Sequence, residues 1–257
     1  EGRGRFYDSV GAIRDVVQNH LLELVALLTM EPPVGRDVDA LRDEKYRAFR
    51  AIRPLSPHEV VRGQYRGYRQ EKGVDPESNV ETFAAIRLHI DSWRWADVPF
   101  YIRAGKRLPV TATEIRVEFK HPPKDVFDRL PPSPNYVRFR LSPDVAISLG
   151  ARVKQPGEDM VGELVELMLR HTSGDEMRAY ERLLGDAIEG DPTLFVREDE
   201  VLAAWSIVEP ALRAPAPVHE YGPGAWGPVE ADALIAADGG WDNPTIGTPV
   251  EPVPARA

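Results

Sequence analysis

The 257-residue chain contains no cysteine. That removes disulfide frameworks, thiolate metal sites and cysteine nucleophiles together, and it fits a reducing compartment such as the cytoplasm. Long apolar runs are also missing. None approaches the roughly 18 residues that would span a bilayer, and no basic-then-apolar signal opens the chain, so no membrane association is expected. Positive charge is in short supply: 32 Lys and Arg stand against 41 Asp and Glu, for a formal net charge of −9. A general affinity for nucleic acid, which rests on neutralising phosphates, is therefore not expected. Any anionic ligand has to be held by local cations against an unfavourable overall field. Histidine is scarce, with 6 in all, and no H-x-x-x-H or H-E-x-x-H spacing marks a metal site, so none is expected. There is no G-x-S-x-G elbow. The chain opens on Glu1 and not on methionine, which fits either a processed protein or part of a longer one.

What remains is an ordinary globular composition, 42% hydrophobic and 28% charged. A chain of this length buries roughly three quarters of its unfolded surface and needs no covalent staples. Ile13, Val16, Val17, Leu21, Leu24, Val25 and Leu28 recur at helical spacing, predicting a long helix from about Asp8 to Met30. Asp8 or Ser9 is its expected cap, and Pro32-Pro33 its stop. Asp37 is the expected cap of a second helix reaching about Arg50. Val60–Tyr65, Thr82–Ile90, Phe100–Arg103, Ile115–Phe119, Tyr136–Leu141 and Ala146–Val153 are rich in β-branched and aromatic residues and read as strands. No helical stretches separate the later ones, which argues for antiparallel pairing. Helices are expected again after about Glu163, over Asp175–Ile188, Glu198–Arg213 and Pro228–Ala237. Ala214–Gly227 reads as an extended connection. The expected fold is α+β, a large, predominantly antiparallel sheet with helices packed on one side. It forms a single domain over residues 1–257 with an extended tail from about residue 241.

Two glycine patterns look like dinucleotide loops. Gly2-Arg3-Gly4-Arg5-Phe6-Tyr7 ends in tyrosine, and Gly222-Pro223-Gly224-Ala225-Trp226-Gly227 has every letter but no preceding strand. Both read as glycine-rich turns, and no Rossmann cradle is expected in this chain. His20 lies three and four residues after Val17 and Val16, on or beside the apolar stripe. It reads either as a packed core histidine or as a proton acceptor, since a neutral imidazole takes a proton near neutral pH. Asp15 is five residues earlier, roughly 140° around an α-helix, so the two could flank one ligand without bonding each other. Arg103-Ala104-Gly105-Lys106-Arg107 follows an apolar strand. It reads equally as a grip for a phosphate or sugar acid, with Gly105 allowing close approach of a ligand, or as a solvated basic turn. The five tryptophans read as packing anchors.

Gly2-Arg3-Gly4-Arg5-Phe6-Tyr7-Asp8 and Gly11-Ala12-Ile13-Arg14-Asp15-Val16-Val17-Gln18-Asn19-His20-Leu21-Leu22 resemble the helix that carries the catalytic histidine of the glucose-6-phosphate dehydrogenase family. Similar segments follow in order: Asp43-Glu44-Lys45, Gly63-Gln64-Tyr65, Thr82-Phe83-Ala84-Ala85 and Val98-Pro99-Phe100-Tyr101-Ile102-Arg103-Ala104-Gly105-Lys106. They continue through Ala179-Tyr180-Glu181-Arg182-Leu183-Leu184, Phe195-Val196-Arg197, Ala203-Ala204-Trp205 and Gly227-Pro228-Val229-Glu230-Ala231-Asp232. Only the C-terminal half of that family is resembled.

The resemblance implies that His20 is the general base, that Asp15 binds sugar hydroxyls and that Lys106 contacts the sugar phosphate. It further implies glucose 6-phosphate as substrate, a homodimer formed through the sheet, and NADP held mainly by an N-terminal Rossmann domain absent from this chain, which alone is expected to be inactive. Some members bind a second, structural NADP, for which Arg103, Arg116 and Arg140 occupy matching positions. This sequence departs from the family at Thr111, where many members carry a second basic residue, at Ser142, often glutamine, and near Ala112, where a basic partner is missing. The Asp-His-Tyr-Leu-Gly-Lys-Glu and Glu-Pro segments of the family are absent. A truncated, non-catalytic paralogue serving as an oligomerisation partner or scaffold, and a dehydrogenase of a related sugar phosphate, are the alternatives.

Overall fold

The computed structural model describes residues 3–124, 126, 134–157, 159–170 and 179–245. Within the span expected as one domain, the chain forms two compact units, Glu1–Pro109 with Arg178–Asn243, and Val110–Met177 with Pro244–Ala257.

The first unit begins with α1 (Gly4–Ala12), a π-helical segment (Ile13–Leu21) and α2 (Leu22–Thr29). α3 (Val38–Ala51) follows, with Asp37 capping it as expected: its carboxylate accepts the Ala40 N–H at 2.9 Å. Then come β1 (Val60–Tyr65), β2 (Phe83–Leu88) and β3 (Phe100–Gly105). The second unit supplies β4 (Thr113–Glu118), β5 (Tyr136–Ser142), β6 (Ala146–Lys154) and β7 (Gly162–Arg170). The chain returns to the first unit as α4 (Ala179–Glu189), α5 (Glu198–Arg213), β8 (Val218–Tyr221) and α6 (Glu230–Ile235).

The α+β class is as expected, but the single large sheet is not. Among the described residues there are two four-stranded sheets, ordered β3-β2-β1-β8 and β4-β5-β6-β7. All neighbours are antiparallel except β1 and β8, which run parallel from Arg62↔Val218 to Tyr65↔Tyr221. Residues 218–221, expected as connection, are therefore a sheet edge, and the Gly222–Gly227 pattern, read as having no strand before it, directly follows one. Residues 162–170, expected at the return of helix, are strand β7, paired with β6 along their whole length from Ala146↔Arg170 to Lys154↔Gly162. A short apolar run is ambiguous by periodicity alone, and pairing with an existing strand decides it. The first residues of the expected helix 175–188 lie outside the described residues. Asp8 does not cap a helix. It accepts from Tyr68 Oη at 3.2 Å, Ser78 Oγ at 2.5 Å and the Asp75 N–H at 3.1 Å, and so ties α1 to the loop before β2.

The two sheets treat their apolar residues differently. β2 is buried on both faces, with Phe83, Ala84, Ala85, Ile86 and Leu88 all at 0% exposure. The core closes around it with Ile13, Val17 and Leu22 of the first helix and Ile207 and Val208 of α5. In the second sheet, the register aligns Phe139, Ile147 and Leu169 in one row and Val137, Leu149 and Leu167 in the next, all on one face. Ile147, Leu149, Leu167 and Leu169 are exposed. The opposite face carries ion pairs: Arg140 Nη2 to Glu114 at 2.9 Å, Arg138 Nε to Glu114 at 3.4 Å and Arg138 Nη1 to Glu166 at 3.6 Å.

Candidate active site

The helix that carries Asp15 and His20 is broken at one point. Gly11 adopts φ +73°, in the left-handed region, and a Cβ there would lie 2.5 Å from Glu81 Oε1. This break lets the chain start afresh on Glu81. The Ala12 N–H donates to the Glu81 carbonyl at 2.9 Å, and the Ile13 N–H to its Oε1 at 3.1 Å. Glu81 is 2% exposed and is neutralised by Arg62, whose Nε and Nη2 donate to Oε2 at 3.1 and 2.8 Å. Glu81 thus satisfies two orphan donors at a helix start, one with its carbonyl and one with a buried carboxylate, where the macrodipole favours negative charge.

From that start the backbone winds as a π-helix over Ile13–Leu21, ending with the Leu22 N–H bonded to the Val17 carbonyl five residues back. π-Bulges recur at functional sites, and this segment spans 9 residues. The winding corrects the α-helical geometry assumed from sequence. Five residues close one hydrogen-bonded turn of a π-helix, so Asp15 and His20 lie on the same side and not roughly 140° apart. Ile13 and Val17 stay fully buried, while His20 and Asn19 are exposed and Asp15 is half-buried. The packed-core reading of His20 therefore falls.

Lys106 follows β3 in a loop whose backbone is pinned from three directions. Its N–H donates to the Thr82 carbonyl at 2.9 Å, its carbonyl accepts from Tyr221 Oη at 2.6 Å, and the next carbonyl, of Arg107, accepts the Gly224 N–H at 2.7 Å. Burial pushes the Tyr221 hydroxyl up to about 12, which keeps it a donor. Gly105 does allow a close approach, and the neighbour the structure shows is Phe83: a Cβ would sit 2.7 Å from that ring. Gly227 meets the same ring at 2.4 Å, which accounts for the last glycine of the dinucleotide look-alike.

Tyr7 joins the two halves of the site. The Lys106 ammonium stands 4.8 Å from the centre of its ring. Burial, then the Asp15 and Glu81 carboxylates, raise its hydroxyl far above the ordinary phenol range, so it is a neutral donor. That hydroxyl is buried without a hydrogen-bond partner, which costs about 1–3 kcal/mol. Among the described residues, the side chains of Asp15, His20 and Lys106 make no hydrogen bond or ion pair with the protein. The site therefore presents an acceptor, an imidazole and an ammonium with their bonding capacity open. Tyr7, Glu81 and Tyr221 were not singled out from sequence. Tyr7 stands inside the quoted glycine-rich opening, but nothing in its spacing marks it.

The three arginines considered for a structural NADP are placed as follows. The Arg103 guanidinium is 4.7 Å from the ring centres of both Trp226 and Trp241, and it donates to Asn243 Oδ1 at 2.7 Å. Burial pulls it down to about 10, against the pull of Asp232 and Asp242. Two indoles of the chain itself and the Asp232 and Asp242 carboxylates thus stand around this guanidinium. Arg116 lies 3.8 Å over the Tyr136 ring and pairs with Glu118 at 2.9 Å, and Arg140 bonds Glu114 and the Thr245 carbonyl. Trp226 and Trp241 are packing residues, as expected; Trp93 is fully exposed.

Residues 1–242 match the family model described as "Glucose-6-phosphate dehydrogenase, C-terminal domain". Among curated relatives, glucose-6-phosphate 1-dehydrogenase 1 of Mycobacterium tuberculosis is 44% identical over 249 residues, covering 96% of this chain and 53% of that protein. The glucose-6-phosphate 1-dehydrogenase of Aggregatibacter actinomycetemcomitans is 43% identical, covering 95% and 54%. The crystal structure of the Mycobacterium avium enzyme superposes with a TM-score of 0.89 at 45% identity, over 96% of this chain and 54% of that one. A glucose-6-phosphate dehydrogenase in complex with its substrate glucose 6-phosphate gives 0.85 at 35% identity, over 95% and 54%. The chain thus spans about half the length of the relatives it matches.

Proposed function

Because the chain belongs to the glucose-6-phosphate dehydrogenase C-terminal domain family, we propose that it is the sugar-phosphate-binding half of a glucose-6-phosphate 1-dehydrogenase and carries its catalytic base. The observation that supports this best is the open trio on one framework: exposed His20, Asp15 one π-turn before it, and Lys106 seated on Tyr7 beside Asp15. Lys106 holds the sugar phosphate as a point charge. Asp15 accepts hydrogen bonds from sugar hydroxyls. His20 takes the proton from the C1 hydroxyl as C1 is oxidised, and the product is the 6-phosphogluconolactone. NADP, held mainly by the part of the enzyme outside this span, supplies the hydride acceptor. The isolated chain forms no NADPH, since nothing among its described residues positions that acceptor against C1.

The same proposal includes a homodimer formed through the second sheet. Its support is the exposed apolar face built from Ile147, Leu149, Leu167 and Leu169, which is larger than isolated surface residues need. A cytoplasmic setting belongs to it as well, on the support of a chain without cysteine.

Two measurements test the catalytic reading. In the dehydrogenase that carries this chain, His20→Asn lowers kcat about 10²–10⁴-fold and leaves KM for glucose 6-phosphate nearly unchanged. Calorimetry of glucose 6-phosphate against native and Lys106→Ala protein gives binding heat only in the native form. A His20→Asn enzyme with native kcat, or equal heats in both titrations, refutes the assignment.

A further inference from the structure

We propose that Tyr7 is a positioning residue for the sugar-phosphate site, its ring seating the Lys106 ammonium and its hydroxyl donating to Asp15 in the sugar-bound state. The inference deepens the reading above and rests on it.

Three observations carry it. Tyr7 is 7% exposed, and it lies against both ends of the site: the Lys106 ammonium is 4.8 Å from its ring centre, and Asp15 is close enough to act on its hydroxyl electrostatically. Its hydroxyl has no hydrogen-bond partner, although buried hydroxyls nearly always find one. Phenylalanine would fill the same space without that orphan. Of the two carboxylates whose charge reaches the hydroxyl, Glu81 is already used by Ile13 and Arg62, and Asp15 is not. The Asp15 carboxylate, half-buried and without a protein partner, supplies what the hydroxyl lacks once sugar hydroxyls order it. The ring supplies a second thing. Lys106 is exposed, on a flexible four-carbon stem, and the pinned backbone of its loop does not fix its ammonium. A cation over an aromatic face is held without being neutralised, so it keeps its charge for a phosphate. Tyr7 thereby spans the distance between the hydroxyl end and the phosphate end of one ligand.

The test uses Tyr7→Phe and Tyr7→Leu in the dehydrogenase that carries this chain, with Lys106→Ala and the double variant Tyr7→Leu/Lys106→Ala. Tyr7→Phe keeps the ring and raises KM for glucose 6-phosphate about 2–10-fold with kcat within about 2-fold, while its thermal midpoint stays level or rises. Tyr7→Leu raises KM further, about 5–30-fold, and adds little once Lys106 is alanine, because the two act as one unit. A native KM in Tyr7→Phe with a raised midpoint overturns the inference, leaving the hydroxyl a packing defect. Additive effects of Tyr7→Leu and Lys106→Ala overturn it as well. If Lys106→Ala itself keeps the native KM, the whole sugar-phosphate reading fails, and that failure is separately visible.

Discussion

The two sheets have the same number of strands and similar apolar content, yet they solve opposite problems. The sheet of β1, β2, β3 and β8 is finished within its own unit: β2 is sealed on both faces. The sheet of β4–β7 keeps its ion pairs on one face and leaves Leu167 and Leu169 on the other 64% and 73% exposed. A side chain contributes to stability by leaving water, roughly 25 cal/mol per Å² of apolar surface. The first sheet collects that term on folding. The second can collect it only when something covers it, so its apolar face is available for association and the sealed sheet for holding a site still.

That contrast can be broken at its strongest point first. Phe83→Ala empties the place where β2 meets Gly105 and Gly227, and costs about 3–5 kcal/mol in urea unfolding. A loss below about 1 kcal/mol would mean the first sheet is not the rigid one. Glu81→Gln comes next. It leaves the Arg62 charge uncompensated in a buried setting and weakens the start of the π segment, with an expected loss of about 3 kcal/mol. If unfolding is unchanged, Glu81 is not what holds that helix. The smallest effect on folding belongs to the second sheet: Leu169→Arg shifts the unfolding free energy of the dissociated chain by about 0.5 kcal/mol or less. The same substitution weakens self-association about 10-fold or more, read by sedimentation equilibrium. Should it unfold the chain and leave association intact, the assignment of the two sheets is reversed.

Much of the fold was legible. The strand at Tyr136–Leu141 and the cap at Asp37 both stand in the structure as read. β7 was not legible, because Gly162–Arg170 satisfies its backbone only by pairing with β6, at a distance local pattern cannot see. β8 escaped for the same reason, its partner β1 lying more than 150 residues away in the chain. In the site, His20, Asp15 and Lys106 were marked by residue type and by resemblance. Their relation was misjudged, since the 140° separation assumed an α-helix and the winding is π.

The order of residues alone determined most of the element types, the absence of thiol chemistry and the family segments, because these depend on composition and short-range spacing. The tertiary structure decided which polar groups stay open. Glu81 reaches Ile13 across 68 positions of sequence, and with the glycine break at residue 11 it gives the helix a new start, from which it winds as a π-helix with His20 exposed. Tyr7 meets Lys106 only because β3 packs against that helix. Contacts between distant segments depend on how surfaces close over one another, and no local pattern encodes that closure.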